Sequence, residues 1–504
     1  MRLSSPSSLK DMKSNNVIIQ KKNEVYLTVQ CEPHVGHELA DQFTFEVPAA
    51  KFMSAYKKRY WDGKIKLFSP ATGEIYVGLL PYVIAFCEEK GYEVIHRDNE
   101  FYGLPSEVDE FVTPQGVGDF VKSLNLPHKV RDYQYKGIYN ALRHKRKLLL
   151  SPTGSGKSLM IYALTRFWTL KKLKTLIVVP TTSLVEQMYK DFVDYGWNAK
   201  ANCHKVYAGT EPYTDKDVTI TTWQSVYKLP RQYFADFGAI IGDEAHLFKA
   251  KSLTSIMNKL YDCKHRVGFT GTLDGTETNR LVLEGVFGTV DKVTKTETLI
   301  KEGHLSKFQI KVLILKHKKK PFDTYQEEMD YLVEHENRNK FIRNLVCDLS
   351  GNTLVLFNYV ERHGMPLFEL INNKVSGNRK VFLVHGGIDT EDREIARQIA
   401  ETTSDSIIVA SYGTFSTGIN IRNLHNVVFA SPSKSKIRNL QSIGRVLRTS
   451  KNKSKATLYD IADDMSKGRK NNYTLNHLVE RVKIYNEENF DYEFIDVPIK
   501  ESHG

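Results

Sequence analysis

The pattern of apolar and polar positions changes near residue 116 and predicts two kinds of structure. Before that point the chain has short strand-like runs at residues 25–29, 43–47, 65–68 and 75–79 and a helical run at 81–90. After it, helical segments lead to strands and helices that alternate through about residue 290. This alternation is typical of a parallel sheet with crossover helices. The chain therefore begins with a small α+β unit and continues as an α/β domain.

The same alternation returns in the second half of the chain. Buried-strand candidates lie at residues 353–357, 381–384, 406–410 and 426–430. A charged helical stretch at 324–339 connects the halves. The predicted segments are a disordered or added start (1–16), an N-terminal α+β domain (17–110), a first α/β domain (111–295), a connecting segment (296–340) and a second α/β domain (341–504).

Residues 151–158, with the sequence Ser-Pro-Thr-Gly-Ser-Gly-Lys-Ser, form a phosphate-loop motif between a predicted strand and a predicted helix. In such a loop, glycines let backbone N–H groups close around phosphates, and the positive end of the helix favours the anion. Lys157 is expected to reach the β and γ phosphates, and the Ser158 hydroxyl is placed for Mg²⁺. The candidate nucleotide-binding residues here are Thr153, Gly154, Ser155, Gly156, Lys157 and Ser158.

The loop alone leaves an alternative open. Ser151 replaces the usual first glycine or alanine, and a Gly/Ser turn before a helix would give the same letters. A second motif favours the nucleotide site, because residues 237–242 read as a buried strand that delivers Asp243 and Glu244 at its end. Asp243 is expected to hold Mg²⁺ through the metal's water shell, while Glu244 orients and deprotonates the attacking water. Together the motifs predict hydrolysis of a nucleoside triphosphate.

Composition and charge bound the remaining possibilities. The 504 residues are 41% hydrophobic and 26% charged, with a net charge of +12 and five widely spaced cysteines. No run approaches the ~20 apolar residues that span a bilayer, and no signal peptide opens the chain, so a cytoplasmic protein in a reducing compartment is expected. Residues 432–470 hold eleven lysines and arginines against three aspartates, which suits a polyanionic partner or a solvated surface.

Two arginines in this basic region suit a catalytic role. Arg445 and Arg448 are three residues apart and would share one face of a helix. Guanidinium groups that stabilise γ-phosphate charge contribute ~10³ to 10⁵ in rate. A plain basic surface helix is the alternative. Since the second half has no phosphate loop of its own, the tandem arrangement predicts that it supplies this charge to nucleotide bound by the first.

Eight motifs in order carry a resemblance to a known family. They are Arg-Asp-Tyr-Gln (131–134), the phosphate loop (151–158), Pro-Thr-Thr-Ser-Leu (180–184), Thr-Thr-Trp-Gln (221–224), Asp-Glu-Ala-His (243–246), Thr-Gly-Thr (270–272), Ser-Tyr-Gly-Thr-Phe-Ser-Thr-Gly-Ile-Asn (411–420) and Gln-Ser-Ile-Gly-Arg-Val-Leu-Arg (441–448). This series resembles the superfamily-two helicases, and within them the UvsW helicases of T-even phages. The resemblance implies two tandem RecA-like domains and runs from about residue 131 to 464.

The resemblance also implies roles for individual residues. Gln134 would read the adenine edge, with Arg131 nearby. His246, Thr270, Thr272 and Gln441 would connect nucleotide state to nucleic-acid grip. The strand-binding groove would be lined by Pro180, Thr181, Thr221, Thr222, Thr417 and Gly418. The sequence departs from the family at Gly242 and Gly271, which puts local backbone stiffness in doubt.

A basic and aromatic run at residues 51–66 stands out in the otherwise slightly acidic N-terminal region. Its composition suits phosphate contact and stacking on opened bases. We predict a junction or duplex contact by Lys57, Lys58, Arg59 and Trp61. The alternative is that the aromatics at positions 52, 56 and 60, which recur at helical spacing, belong to a core.

The leading hypothesis is an ATP-dependent and Mg²⁺-dependent DNA helicase or branch-migrating translocase, a monomer that acts on single-stranded, forked or Holliday-type DNA. The resemblance implies 3′ to 5′ movement, phage replication, recombination or repair, and host cytoplasm, with a single-strand-binding protein as a candidate partner. An RNA helicase is a second hypothesis, ranked lower because only 56 residues follow Arg448, too few for the accessory domains expected of DEAH-box RNA enzymes. An ATP-gated clamp that remodels protein–DNA complexes without unwinding is a third.

Overall fold

A computed structural model describes residues 15–500. It leaves out positions 48–49, 53, 274–275, 376, 378, 419–420, 422, 432–434, 436–441, 445–446, 448–452, 454 and 467–470. The chain divides into two compact units, residues 1–151 with 156–293, and residues 152–155 with 294–504. In the part of the chain that is described, no helix is long and apolar enough to cross a membrane. All five cysteines are free thiols.

The N-terminal domain is built on a five-stranded mixed sheet with the strand order β5-β6-β2-β1-β7. Its elements are β1 (Asn16–Lys21), β2 (Tyr26–Gln30), α1 (Pro33–Gln42), β3 (Thr44–Glu46), α2 (Ser54–Lys57), β4 (Lys64–Lys66), β5 (Phe68–Ser69), β6 (Glu74–Tyr76), α3 (Leu80–Lys90) and β7 (Glu93–His96). The structure confirms an α+β unit. The predicted strand at 75–79 is too long, because residues 77–79 turn into a 3-10 helix that leads into α3.

This domain is packed onto the domain that follows it. Glu24 forms a buried ion pair with Arg146 and a second ion pair with Lys21. Burial acts to raise the pKa of Glu24, but Arg146 and Lys21 outweigh it and hold that pKa below its usual value. At Gly78 the backbones meet so closely that a Cβ atom would lie 2.0 Å from the carbonyl oxygen of Glu284. The two domains therefore belong to one compact unit.

The first α/β domain has a seven-stranded sheet in the order β10-β11-β9-β12-β13-β8-β14. All its strand pairs are parallel. Its strands are β8 (Arg146–Leu150), β9 (Lys174–Val179), β10 (Cys203–Val206), β11 (Val218–Thr222), β12 (Phe237–Asp243), β13 (His265–Thr270) and β14 (Val290–Lys292). Its helices are α4 (Pro114–Ser123), α5 (Asp132–His144), α6 (Lys157–Leu170), α7 (Thr182–Asp194), α8 (Ala199–Asn202), α9 (Trp223–Val226), α10 (Arg231–Phe234), α11 (Lys251–Lys259) and α12 (Glu277–Phe287).

The second α/β domain has another all-parallel sheet of seven strands, in the order β17-β18-β16-β19-β20-β15-β21. Its strands are β15 (Lys307–Lys316), β16 (Thr353–Phe357), β17 (Lys380–Val384), β18 (Ser406–Ser411), β19 (Asn426–Phe429), β20 (Lys455–Asp464) and β21 (Tyr492–Pro498). Its helices are α13 (Thr296–Lys301), α14 (Tyr325–Glu334), α15 (Glu336–Asp348), α16 (Met365–Lys374), α17 (Thr390–Thr402), α18 (Tyr412–Gly418) and α19 (Tyr473–Glu487). The predicted pair of parallel-sheet domains is confirmed.

Buried ion pairs fasten helices to strand β20 of this second sheet. Asp460 accepts a hydrogen bond from Arg481 of α19 at 2.9 Å, and Asp463 accepts one from Arg338 of α15 at 2.8 Å. Burial acts to raise the pKa of Asp463, but Arg338 and His317 lower it far below its usual range. Because breaking one partner of such a pair leaves an uncompensated buried charge, these pairs resist rearrangement of α15 and α19.

Candidate nucleotide and nucleic-acid sites

The phosphate loop leaves the sheet at the carboxyl end of β8 and enters α6. Ser151 is fully buried and its backbone N–H donates to the carbonyl of Thr270 at 2.8 Å, which ties the start of the loop to β13. The Ser155 hydroxyl donates to the carbonyl of Pro152 at 2.6 Å. Gly154 and Gly156 both have φ of +84°, a left-handed conformation that glycine adopts without steric cost. These bonds and angles give the strand, turn and helix that a phosphate loop requires.

Gln134 lies against the end of the loop. Its side chain is buried, and a Cβ atom at position 156 would stand 2.2 Å from its Nε2 atom. Its Oε1 atom accepts a hydrogen bond from the Arg131 backbone at 2.9 Å and so caps α5. The Arg131 guanidinium donates to the Tyr133 hydroxyl at 2.7 Å. The structure therefore brings Gln134 next to the loop and holds Arg131 beside it.

The two predicted carboxylates stand at the end of β12, next to the loop. Lys157 Nζ lies 3.9 Å from Glu244 Oε1. Glu244 has φ of +50°, and its backbone N–H donates to Asp243 Oδ1 at 2.9 Å. Burial, with the charge of Glu244, raises the pKa of Asp243 to about 6, and Lys157 opposes the increase. An amine and two carboxylates thus converge beside the phosphate loop.

A chain of polar contacts leaves this pair toward β13. His246 Nδ1 lies 3.5 Å from Glu244 Oε2 and 3.1 Å from the Thr270 hydroxyl. The Thr270 hydroxyl donates to the carbonyl of Thr272 at 2.9 Å. All three of His246, Thr270 and Thr272 are buried. A series of contacts therefore joins Glu244 to three of the residues that the resemblance associates with coupling, His246, Thr270 and Thr272.

Gly242, one of the departures from the family pattern, has a packing reason. It pairs with Gly268 on the neighbouring strand β13. A Cβ atom at Gly242 would lie 2.7 Å from the Phe287 ring and 2.8 Å from the Phe248 ring. The two glycines therefore make room for aromatic side chains beneath the carboxylates. Close packing of these rings supports the end of β12.

Four of the residues predicted for the strand-binding groove lie at the carboxyl ends of strands in the first sheet. Pro180 and Thr181 follow β9, and Thr221 and Thr222 end β11, whereas the loop and the carboxylates follow β8 and β12. The Thr181 hydroxyl caps α7 by accepting from the backbone of Leu184 at 3.4 Å, and it lies partly exposed. Thr221 is fully buried and its hydroxyl donates to the Thr222 carbonyl at 3.0 Å. Of these two threonines, Thr181 is therefore the more accessible to a nucleic-acid phosphate.

One contact of the loop was not predicted from the sequence. The Ser158 hydroxyl lies 2.9 Å from the hydroxyl of Tyr195, the residue that ends α7. These residues are 37 positions apart, and their meeting depends on how α6 and α7 pack. None of the eight motifs described above contains Tyr195.

The N-terminal basic and aromatic run forms an open concave surface of about 730 Å³, lined by Lys51, Tyr56, Lys57, Arg59, Tyr60, Trp61 and Asp62. The Tyr60 side chain is 84% exposed, so the alternative of a core position fails for this residue. Helix α2 ends at Lys57, and Arg59 has φ of +57°, which turns the chain outward. Trp61 donates its ring N–H to the Lys64 carbonyl at 2.7 Å. We name this surface the N-terminal basic concavity; Lys58 is exposed beside it.

Some predicted residues are not described. Gln441, Arg445 and Arg448 lie outside the described residues. Thr417 and Gly418 belong to helix α18, where only their backbone is described.

Three family models match the chain in the order of these domains. They are the N-terminal domain of the DNA helicase UvsW over residues 16–97, the type III restriction enzyme res subunit over 127–275 and the helicase conserved C-terminal domain over 336–450. A phosphate loop, an acidic pair and two parallel-sheet domains with these matches define a superfamily-two helicase.

Individual relatives narrow the class. The chain is 35% identical to the ATP-dependent DNA helicase uvsW of Enterobacteria phage T4 over 493 residues, 93% of this chain and 96% of that protein. The crystal structure of T4 UvsW matches with a TM-score of 0.51 and 32% identity, covering 96% of this chain and 99% of that one. The chain therefore belongs to the UvsW family of ATP-dependent DNA helicases.

Two more distant relatives share the helicase core. A putative ATP-dependent RNA helicase L396 of Acanthamoeba polyphaga mimivirus is 24% identical over 76% of this chain and 75% of its own length. The DNA 3′-5′ translocase XPB2 of Sulfurisphaera tokodaii is 26% identical over 49% of this chain and 55% of its own length. Neither match has the extent of the match to the phage protein.

Proposed function

We propose that this helicase uses ATP to move 3′ to 5′ along DNA and to unwind or branch-migrate forked and branched DNA during phage replication, recombination or repair, in the host cytoplasm. The observation that carries the proposal is the convergence of Lys157, Asp243 and Glu244 at one sheet edge, with Lys157 Nζ 3.9 Å from Glu244 Oε1. Groove candidates on neighbouring strands of the same edge support action on nucleic acid.

The donor set fits a magnesium nucleotide. The Ser158 hydroxyl and the Asp243 carboxylate offer the oxygen ligands that Mg²⁺ prefers, Asp243 acting through the metal's water shell. Bound Mg²⁺ would neutralise charge on the β and γ phosphates. Lys157 binds the same phosphates, with backbone N–H groups of residues 153–156 around them. Arg131 and Gln134 hold the adenine end, where Gln134 already packs on Gly156.

Glu244 is the proposed base in hydrolysis. Its carboxylate is held between Lys157 and His246, with His246 Nδ1 at 3.5 Å. When phosphate draws Lys157 away, Glu244 is free to orient water and accept its proton. The contacts from His246 to Thr270 and on to the Thr272 carbonyl are the proposed route by which nucleotide state reaches the nucleic-acid grip.

The second α/β domain is proposed to supply charge and further grip. Arg445 and Arg448 would stabilise the γ-phosphate during hydrolysis, and Gln441 would assist coupling, as the sequence resemblance suggests. Nucleic acid would be gripped through phosphates by Pro180, Thr181, Thr221, Thr222, Thr417 and Gly418, without reading bases. Alternating grip by two domains converts hydrolysis into stepping.

The N-terminal basic concavity is a proposed contact for a DNA junction. Lys57, Lys58 and Arg59 offer cations for phosphates, and exposed Tyr60 and partly buried Trp61 offer faces for unpaired bases.

A monomer is proposed to suffice, since one chain carries the phosphate loop, the acidic pair and the paired arginines. A single-strand-binding protein is a candidate partner on the strand that is released.

A panel of nucleic acids tests the proposal. ATP hydrolysis is measured with forked DNA, Holliday-type junctions, single-stranded DNA and RNA, and strand displacement is measured with tails of both polarities. We expect branched DNA to stimulate ATP hydrolysis most strongly. We expect strand displacement to be fastest on substrates with a 3′ single-stranded tail, on which 3′ to 5′ movement leads into the duplex. Selective stimulation of ATP hydrolysis by RNA would instead support the RNA-helicase hypothesis. The mimivirus relative is named as a putative RNA helicase. Binding without ATP-dependent displacement would support the clamp.

A further inference from the structure

The hydroxyl proposed to ligate Mg²⁺ already has a protein partner. Ser158 is the second residue of α6, and its Oγ lies 2.9 Å from the hydroxyl oxygen of Tyr195 at the end of α7. Either oxygen can donate in this bond. Both residues belong to the first unit.

The position of the Tyr195 hydroxyl is fixed by packing. The Tyr195 ring lies 5.1 Å from the Tyr162 ring, which is one turn beyond Ser158 on α6. Tyr162 in turn packs on Phe192 of α7 at 5.3 Å, and Tyr162 itself is fully buried. The Tyr195 backbone N–H donates to the Asp191 carbonyl at 2.9 Å and closes the helix. The phenol oxygen is therefore held in place by the seam between α6 and α7.

A serine hydroxyl that gives a lone pair to a cation must direct its hydrogen elsewhere. The Tyr195 oxygen is within hydrogen-bond distance and can accept that hydrogen. We infer that Tyr195 is a positioning residue for the metal–nucleotide site: it accepts the Ser158 hydrogen and thereby turns a Ser158 lone pair toward Mg²⁺. The inference rests on the proposed function, because it assumes that Ser158 is a ligand. Groups that orient metal ligands typically change metal affinity 10 to 100-fold when they are removed.

Tyr195→Phe tests this role because it removes the hydroxyl and keeps the packed ring. The binding of a fluorescent ADP is titrated in saturating Mg²⁺ and again in EDTA. We expect Tyr195→Phe to weaken Mg²⁺-dependent binding by about 10-fold and to leave metal-free binding unchanged. The ratio of the two affinities is the readout, since partial loss of folded protein would affect both titrations alike.

Two further variants make the result specific. Tyr189→Phe removes a hydroxyl from α7, in a residue whose ring packs against Lys205, and should leave the ratio as in the wild type. In a Ser158→Ala background, Tyr195→Phe should add no further effect, because the two changes remove one interaction. Tighter or unchanged Mg²⁺-dependent binding in Tyr195→Phe would overturn the inference, as would equal weakening with and without the metal or full additivity with Ser158→Ala.

The two single variants distinguish a failure of the positioning role of Tyr195 from a failure of the metal-binding role of Ser158. If Ser158→Ala lowers the Mg²⁺-dependent affinity and Tyr195→Phe does not, Ser158 remains a metal ligand and the role of Tyr195 is wrong. If Ser158→Ala has no effect on the ratio, the metal role of Ser158 fails, and the role of Tyr195 fails with it.

Discussion

Lys157 Nζ lies 3.9 Å from Glu244 Oε1, so the proposed phosphate ligand and the proposed base face each other across the site. The amine also lowers the pKa of buried Asp243, which burial and Glu244 raise to about 6. We therefore expect Lys157 to contact the carboxylates before nucleotide binds and the phosphates afterwards.

Lys157→Ala should abolish ATP turnover, with a fall of at least about 100-fold, because it removes a preorganised positive charge from the reacting phosphates. The fold and much of the DNA binding should remain. Steady-state hydrolysis, circular dichroism and a DNA-binding titration measure the three properties. Lys171→Ala, at the exposed end of the same helix, is the control and should behave as the wild type. Unimpaired hydrolysis in Lys157→Ala would refute the nucleotide site.

Arg448→Ala should lower turnover far more than nucleotide affinity, because a guanidinium that stabilises γ-phosphate charge acts mainly during hydrolysis and can contribute ~10³ in rate. Turnover number and nucleotide dissociation constant are measured separately. Arg343→Ala on α15 removes an arginine whose guanidinium hydrogen-bonds the neighbouring Asn344, and it serves as a charge control. A larger loss of affinity than of turnover would remove Arg448 from its catalytic role.

Trp61→Ala should weaken the binding of forked DNA and leave the basal ATPase rate unchanged, because the N-terminal basic concavity contains none of the nucleotide-site residues. Stacking of a base on an aromatic side chain contributes about 1–3 kcal/mol. Fluorescence anisotropy with forked and blunt duplex DNA measures the change. Phe111→Ala is the matched control, since Phe111 is 96% exposed and lies outside the concavity. Equal DNA affinity in wild type and Trp61→Ala would remove Trp61 from the proposed contact.

Gly78→Ala should destabilise the first unit by about 1–3 kcal/mol, because its new Cβ would meet backbone oxygens of Glu284 and Gly285 rather than a movable side chain. Chemical denaturation measures the change. Gly36→Ala in α1 is the control, since its Cβ would meet only the Cys31 sulfur at an ordinary 3.8 Å. A Gly78→Ala protein as stable as the control would show that the two domains do not meet this closely.

His363 should make the second unit sensitive to acid. Burial, with the charge of Arg338, lowers the pKa of His363 to about 3. The unfolded chain, with a histidine pKa near 6.5, therefore binds more protons between about pH 3 and 6.5. Stability from the neutral ring is complete above that window and declines as the pH falls through it, by at most ~1.4 kcal/mol per unit.

Urea unfolding followed at several pH values between 4 and 7.5 checks this. His363→Gln should be less stable at neutral pH, since His363 contacts Ser431 and Asn339, but its stability should change less with pH. His37→Gln, at an exposed position in α1, should keep the wild-type slope. An unchanged slope in His363→Gln would contradict the assignment of the acid sensitivity to this ring.

The sequence predicted the central strands well because they are buried on both faces. Strands β16 and β12 are continuous apolar runs that end where expected, and Asp243 and Glu244 follow from the end of β12. Strand β15 was missed because Lys307, Gln309 and Lys311 interrupt its apolar run, and β21 because most of its side chains are exposed at the sheet edge. Periodicity also does not show which distant strand a given strand pairs with.

The candidate site likewise contains residues that the sequence predicts and contacts that it does not. Lys157, Ser158 and the acidic pair could be predicted because short motifs hold them together in sequence. The contact between Ser158 and Tyr195 could not, because it depends on the packing of α6 against α7. Likewise nothing local marks Arg146 as the partner of Glu24, 122 positions earlier. Gly242 was interpreted as a departure in backbone stiffness, yet its reason lies in the rings of Phe248 and Phe287.

The ion pair between Glu24 and Arg146 has a consequence for how this helicase can be divided. Arg146 begins the strand that leads to the phosphate loop, and its guanidinium is neutralised from the N-terminal domain. A motor fragment trimmed at residue 97, where the N-terminal family match ends, would keep a buried cation and lose its counterion. The boundary of the family match at residue 97 is therefore not a boundary between independent structural units, because the Glu24–Arg146 ion pair crosses it. We expect a fragment cut there to lose stability.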